Sequence, residues 1–199
     1  MSSSFLSPSA AIRLRLAGLG LLAGLATSAS LPAIAAPAKP KPAAAAASAN
    51  SGQGQAMLLE TAGKWQAFSS QQGRSKVCYA LSKAETRSPA NLKDVEGLLF
   101  ISNRPAEGVR NEISFVMNFD VKEGVEHQAV IGNERFALVA KGKNMWLKNP
   151  AEEPRMLDAM RKGAGLEIKA NSKRGNPTSD KYSLAGLSQV LKKADDACK

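Results

Sequence analysis

The sequence is short of the residues that build metal centres and covalent catalysts. One His and two Cys in 199 residues cannot furnish a four-ligand zinc site, and two Cys cannot frame a disulfide-dense miniprotein. The apolar stretch Leu16–Ala26 is too short for a comfortable membrane span of ~20 residues, and the composition argues against a multi-span membrane protein. No Gly-rich loop follows a strand and opens a helix, so nucleotide-phosphate binding has no support. The G-x-S-x-G, S-x-x-K and K-T-G motifs are absent, and His127 is the only imidazole available as a base. Flanked by Glu126 and Gln128 on a strand-like stretch, it reads as a solvated surface residue. The acidic pairs Glu152-Glu153, Asp94/Glu96 and Asp195-Asp196 have no apolar pocket written around them. Catalytic, cofactor-binding and metal-ligating residues are therefore all expected to be none.

Acidic residues are missing from the first 56 positions, which hold 17 Ala, so the chain is compositionally two things. Residues 1–35 run from a polar start through Arg13 and Arg15 and the apolar Leu16–Ala26 to Ala33-Ile34-Ala35, the order of an export signal. Cleavage would follow Ala35 or Ala36; the bland alternative is an uncleaved anchor. Residues 36–56 contain no apolar side chain larger than Ala, and their Lys-Pro alternation and Ser/Gly/Gln end read as a disordered tether. The formal net charge is +10, but Arg13, Arg15, Lys39 and Lys41 lie in these segments. Residues 57–199 keep 23 basic residues against 17 acidic ones, a net +6.

What is present from position 57 onward is period-two alternation. Val109, Asn111, Ile113, Phe115, Met117 and Phe119 share one face of a half-buried strand over Val109–Asp120. Leu98–Asn103 precedes it, and Arg104-Pro105-Ala106-Glu107-Gly108 has Pro and Gly placed for a hairpin turn. Further strands are expected over Lys64–Ser69, Lys76–Ser82, His127–Ile131, Arg135–Lys141, Asn144–Leu147, Leu166–Asn171 and Asp180–Leu184. Short strands at this spacing imply an all-β antiparallel sandwich or barrel. Two helices complete the body. Pro154–Lys162 ends at Gly163, and Leu184–Cys198 carries Leu184, Leu187, Leu191, Ala194 and Cys198 on one face, with Ser183 as its cap.

An exported chain with two Cys most simply forms one disulfide, here Cys78–Cys198, since reactive pairs usually sit close in sequence. The +6 body is attracted to anionic surfaces. Lys169, Lys173, Arg174 and Lys181 surround one turn, and Lys141, Lys143 and Lys148 form a second group. The bland reading is that these are solvated turn lysines. No aromatic residues stack near the basic runs, so nucleic acid is a poor partner. Lipopolysaccharide phosphates, acidic glycans or an acidic protein surface suit an exported chain better.

Three segments are more specific than generic strands and turns. They are Ile101-Ser102-Asn103-Arg104-Pro105-Ala106-Glu107-Gly108-Val109-Arg110-Asn111-Glu112, Ser172-Lys173-Arg174-Gly175, and Thr178-x-Asp180-x-Tyr182-Ser183-Leu184-x-Gly186. With Trp65 and Cys78 before them and Cys198 after, residues 64–198 resemble the invasion-associated locus B family of bacterial cell-envelope proteins. The chain departs from that pattern at Asn103, where a basic residue would be expected, and around Arg87–Asp94. The first departure reads as one surface charge. The resemblance implies an immunoglobulin-like β-sandwich, a periplasmic or envelope location and a link to host-cell invasion, with no catalytic residues to carry over. Arg104, Glu107, Arg110, Asp180 and Tyr182 match its motifs and join Lys173 and Arg174 as candidate partner-binding residues, although hairpin geometry and cross-strand pairing explain much of the pattern. The expected function is a non-enzymatic envelope protein that binds an envelope or host protein or an acidic glycan. The alternative is a periplasmic structural or chaperone-like module working through an exposed strand edge.

Overall fold

The structure, a computed structural model, describes residues 55–199; the leader and nearly all of the tether lie outside the described residues. Eleven strands follow in chain order: β1 (Met57–Ala62), β2 (Trp65–Gln72), β3 (Ser75–Lys83), β4 (Thr86–Ser88), β5 (Leu98–Arg104), β6 (Val109–Val116), β7 (His127–Ile131), β8 (Glu134–Lys141), β9 (Asn144–Leu147), β10 (Gly165–Asn171) and β11 (Pro177–Ser183). Helix α1 (Glu153–Lys162) separates β9 from β10, and α2 (Leu187–Ala197) ends the chain. The expected all-β antiparallel body with two helices is present.

The strands form one antiparallel sheet in the order β1-β2-β3-β5-β6-β9-β8-β7-β10-β11-β4. The segment after β3 ties the approach to β5 to β11, strands far apart in this order. The Ala84 N–H donates to Gly97 O, and the next N–H, of Glu85, donates to Lys181 O on β11, both at 2.8 Å. Two distant parts of the sheet therefore face one core: the rings of Phe115 on β6 and Tyr182 on β11 lie 6.4 Å apart. Alternation sets what each strand contributes. Trp65 and Ala67, Cys78 and Ala80, Leu99 and Ile101, and Ile113 and Phe115 point inward from neighbouring strands and are fully buried.

The sequence pattern misses β1 and β4. Both are sheet edges, where no alternation marks a half-buried strand; β4 has three residues, and β1 reads Met-Leu-Leu-Glu-Thr-Ala with a bulge between Leu58 and Glu60. The final helix begins three residues later than expected. Ser183 does not cap it: Ser183 still pairs with Gly165, and its Oγ accepts the Ala185 N–H at 3.3 Å. Gly186, at φ 92°, makes the turn into α2, where a Cβ would sit 2.2 Å from Ala62 O. Leu187, Val190, Leu191 and Ala194 are the buried face of α2, and Cys198 beyond it is bonded to Cys78 across 5.9 Å between Cα atoms. This expectation of one disulfide holds, and it fits an oxidising compartment. Among the described residues no helix is long and apolar enough to cross a membrane.

Candidate functional site

The two basic turns that are separate in sequence meet in the fold. The segment after β6 is the clasp between them. The Met117 N–H donates to Lys143 O at 2.8 Å and the Val121 N–H to Gly142 O at 2.9 Å, in the β8–β9 turn. From the other side, the Lys122 N–H donates to Asn171 O at 2.9 Å and the Lys173 N–H to Asp120 O at 2.7 Å. The Glu123 carboxylate secures the same junction by accepting the Gly142 N–H at 2.7 Å. Lys122, Lys141, Lys143, Lys173 and Arg174 are thereby gathered at one end of the sheet, all exposed and none paired with a carboxylate among the described residues. The other lysines of the two sequence groups behave differently. Lys148 is paired with Glu126 at 3.0 Å, Lys169 approaches Glu167 at 3.5 Å, and Lys181 stands opposite Glu167 in the strand register.

Lys173 and Arg174 also wall a cleft of about 340 Å³ whose far side is the turn at Ala90–Leu92. Its lining mixes the half-buried ring of Phe119 with Pro89 and Leu92, the Asn91 and Asn176 amides and the Asp120 carboxylate. Lys173 stands between this cleft and a neighbouring hollow lined by Asp120, Val121, Glu123 and Gly142.

Asp180 and Tyr182, candidates for partner contact, are instead inside the protein, 0% and 2% exposed. Strand alternation explains the correction, since Thr178, Asp180 and Tyr182 share the inward face of β11. Asp180 is held bidentately by Arg87, through Nε at 2.9 Å and Nη2 at 2.7 Å. The same guanidinium donates to Val95 O at 2.5 Å and Met117 O at 3.0 Å, and lies 5.4 Å from the Phe119 ring centroid. Burial pushes the Asp180 carboxyl up, with Arg87 pulling it down. Burial likewise pushes the Tyr182 hydroxyl far above its ordinary range, and that hydroxyl has no hydrogen-bond partner. Nothing in the spacing around Arg87 marks it. The legible signal was Asp180 itself, a carboxylate on a core-facing strand position that requires a buried cation.

The hairpin motif is occupied with itself. Arg104 donates to Glu112 at 2.8 and 3.1 Å and to Glu107 at 2.8 Å, and these bonds raise its pKa further. Arg110 is exposed and has no ion-pair partner among the described residues. Asn103 is not a surface position: it is fully buried, receives the Asn111 N–H at 2.9 Å and donates to Asp195 at 2.8 Å. Its strand partner is Cys78, so the departure from the pattern lies beside the disulfide.

His127 corrects another expectation. It is 2% exposed, in the wall of a cleft of about 460 Å³ with Ser88, Ser179 and Glu126. Both ring nitrogens are taken by backbone. Nε2 lies 2.8 Å from Lys122 O, which makes it the protonated nitrogen, and Nδ1 accepts the Asn171 N–H at 3.4 Å. An imidazole so tied joins β7 to β10 and has no free lone pair to act as a base toward either Ser. Among the described residues no group of three or more His, Cys, Asp or Glu is placed to hold a metal ion. No family model, curated protein or solved structure matches the chain.

Proposed function

We propose that the chain is an exported, non-enzymatic protein of the bacterial periplasm or cell envelope that binds an acidic partner through the cationic end of its sheet. The observation that carries this reading is the convergence of Lys122, Lys141, Lys143, Lys173 and Arg174 from three segments, with no carboxylate paired to them among the described residues. Holding like charges together costs stability through repulsion, and an anionic partner removes that cost while steering the encounter. The disulfide suits an oxidising location, and the order of motifs keeps the resemblance to the invasion-associated locus B family, with its link to host-cell invasion, as part of the reading. The immunoglobulin-like sandwich belongs to it too, favoured by β6 and β11 facing each other across one core.

The test is salt-dependent retention of the full chain on immobilised dextran sulfate and polygalacturonate. Binding should fall as salt rises from ~50 to ~300 mM, because screening shortens the reach of exposed charges. The triple variant Lys122→Glu/Lys141→Glu/Lys143→Glu should elute well before the wild type. Co-elution of the two, or no retention at low salt, would overturn the reading. A second reading, a chaperone-like module for other exported chains, is favoured by the free edge of β1, where Met57 is 60% and Leu58 51% exposed. Client capture that persists in high salt and disappears in Met57→Lys/Leu58→Lys would select it.

A further inference from the structure

We propose that the cleft between the Ala90–Leu92 turn and the β10–β11 turn is a saccharide site for a carboxylated pyranose, a uronic-acid residue of a glycan. The inference rests on the acidic-partner reading and narrows it from a charge to a ligand class. Charge alone would be satisfied by the lysines around the clasp, and it leaves three features of the cleft without a use. These are the Phe119 ring, the Asp120 carboxylate, and the two side-chain amides of Asn91 and Asn176.

A sugar acid uses all three. The face of a pyranose ring is a set of C–H bonds, and it packs flat on an aromatic ring. Phe119 is half-buried, and the guanidinium of Arg87, itself 3% exposed, lies over its ring at 5.4 Å. That contact with a buried group fixes the ring while it lines the cleft. Among the described residues the Asn91 and Asn176 side chains have no partner, so each can give two N–H bonds and accept others from sugar hydroxyls. Asp120 is also exposed and, among the described residues, unpaired; a carboxylate facing a cleft accepts hydrogen bonds from sugar hydroxyls, donors that a bare phosphate or sulfate group does not offer. Lys173 and Arg174 against Asp120 leave the lining with a single net positive charge, which matches one sugar carboxylate. A volume of about 340 Å³ is at the small end of ligand clefts, the size for one sugar residue and part of the next.

Continuation of the chain has a path. Lys173 lines the adjoining hollow as well, and that hollow leads to Gly142 between Lys141 and Lys143. The His127 cleft has no Phe, Tyr or Trp in its lining and is not a comparable platform.

The experiment is titration of the full chain with tri-galacturonate, followed by protein NMR and calorimetry, with the neutral galactose trimer and dextran sulfate as comparison ligands. Tri-galacturonate should shift the resonances of Phe119, Asn91 and Asn176, and the neutral trimer should bind at least about tenfold more weakly, the loss of one charged contact. Phe119→Leu keeps the apolar volume and removes the ring; Asn91→Ala alters an exposed side chain that supports no fold contact. Each should weaken tri-galacturonate about tenfold and leave dextran sulfate retention unchanged. Asp120→Asn should weaken the uronate and strengthen dextran sulfate. If dextran sulfate binds but tri-galacturonate does not, or binds with no effect of Phe119→Leu, Asn91→Ala or Asp120→Asn, the saccharide inference fails and the acidic-partner reading stands. If neither ligand binds, both fall.

Discussion

Asp180→Asn is the perturbation that most directly tests how this core is held. The side chains of Arg87 and Asp180 are 3% and 0% exposed, so the substitution leaves a guanidinium buried with its charge uncompensated. The bonds of Arg87 to Val95 O and Met117 O survive, and the new amide oxygen can keep one of the other two, but neutral carbonyl dipoles do not replace a carboxylate. Removing one partner of a buried pair costs ~3–5 kcal/mol. For a body of this size that lowers Tm by on the order of 10–15 °C. Arg87→Met should cost as much, because it strands the carboxylate and frees two carbonyls. The double variant Arg87→Met/Asp180→Leu should recover much of the loss, since apolar replacement of a whole buried pair is often neutral or better. Gly97→Ala gives an independent probe: a Cβ there would sit 2.8 Å from Asp180 Oδ2 and 3.0 Å from Arg87 Cζ. It should destabilise by forcing the pair apart. Urea unfolding of the full chain, followed by tryptophan fluorescence, measures all four. A loss below ~1 kcal/mol for Asp180→Asn, the range of exposed pairs, would refute a buried, structure-holding role.

The disulfide closes a loop of 120 positions, so Cys78→Ala/Cys198→Ala should lose up to about 5 kcal/mol by the chain-entropy estimate. Intact-mass analysis of the wild type before and after reduction should differ by two hydrogens; two alkylatable thiols without reduction would contradict the bond. His127→Ala should cost ~1–3 kcal/mol, because Lys122 O and the Asn171 N–H lose their partner. Amide exchange at Asn171 should accelerate, and unchanged exchange would show that the ring is not the staple. Lys192 and Lys199 hold the Asp196 carboxyl down to about 2 at the end of α2. A carboxyl lowered on folding contributes fully above its ordinary value and loses that contribution as pH falls toward about 2. The last turn of α2 should therefore fray as pH falls through that window, seen as amide shifts of Asp195–Cys198, and an Asp196 that titrates at its ordinary value would refute it.

The sequence by itself determined what local periodicity and composition can encode. Alternation located nine strands, helical spacing located both helices, and β7 and β9 fall at the expected residues. The pairing of Cys78 with Cys198 followed from there being two cysteines in an exported-looking chain. Lys173 and Arg174, flagged by charge and a turn, do sit at the cleft. The tertiary structure decided everything that depends on residues far apart in the chain. Arg87 and Asp180 are 93 positions apart, and no spacing rule links them. The turns holding Lys141–Lys143 and Lys173–Arg174 become one surface only because both bond to the segment at Asp120–Lys122. His127 and Asn103 looked polar and therefore exposed, yet both are buried with backbone or side-chain partners supplied by distant strands and by α2. The reason is physical. Period two tells which residues share a face, but which face is covered, and by what, depends on how the sheet closes; a polar group goes inside wherever closure brings it a partner.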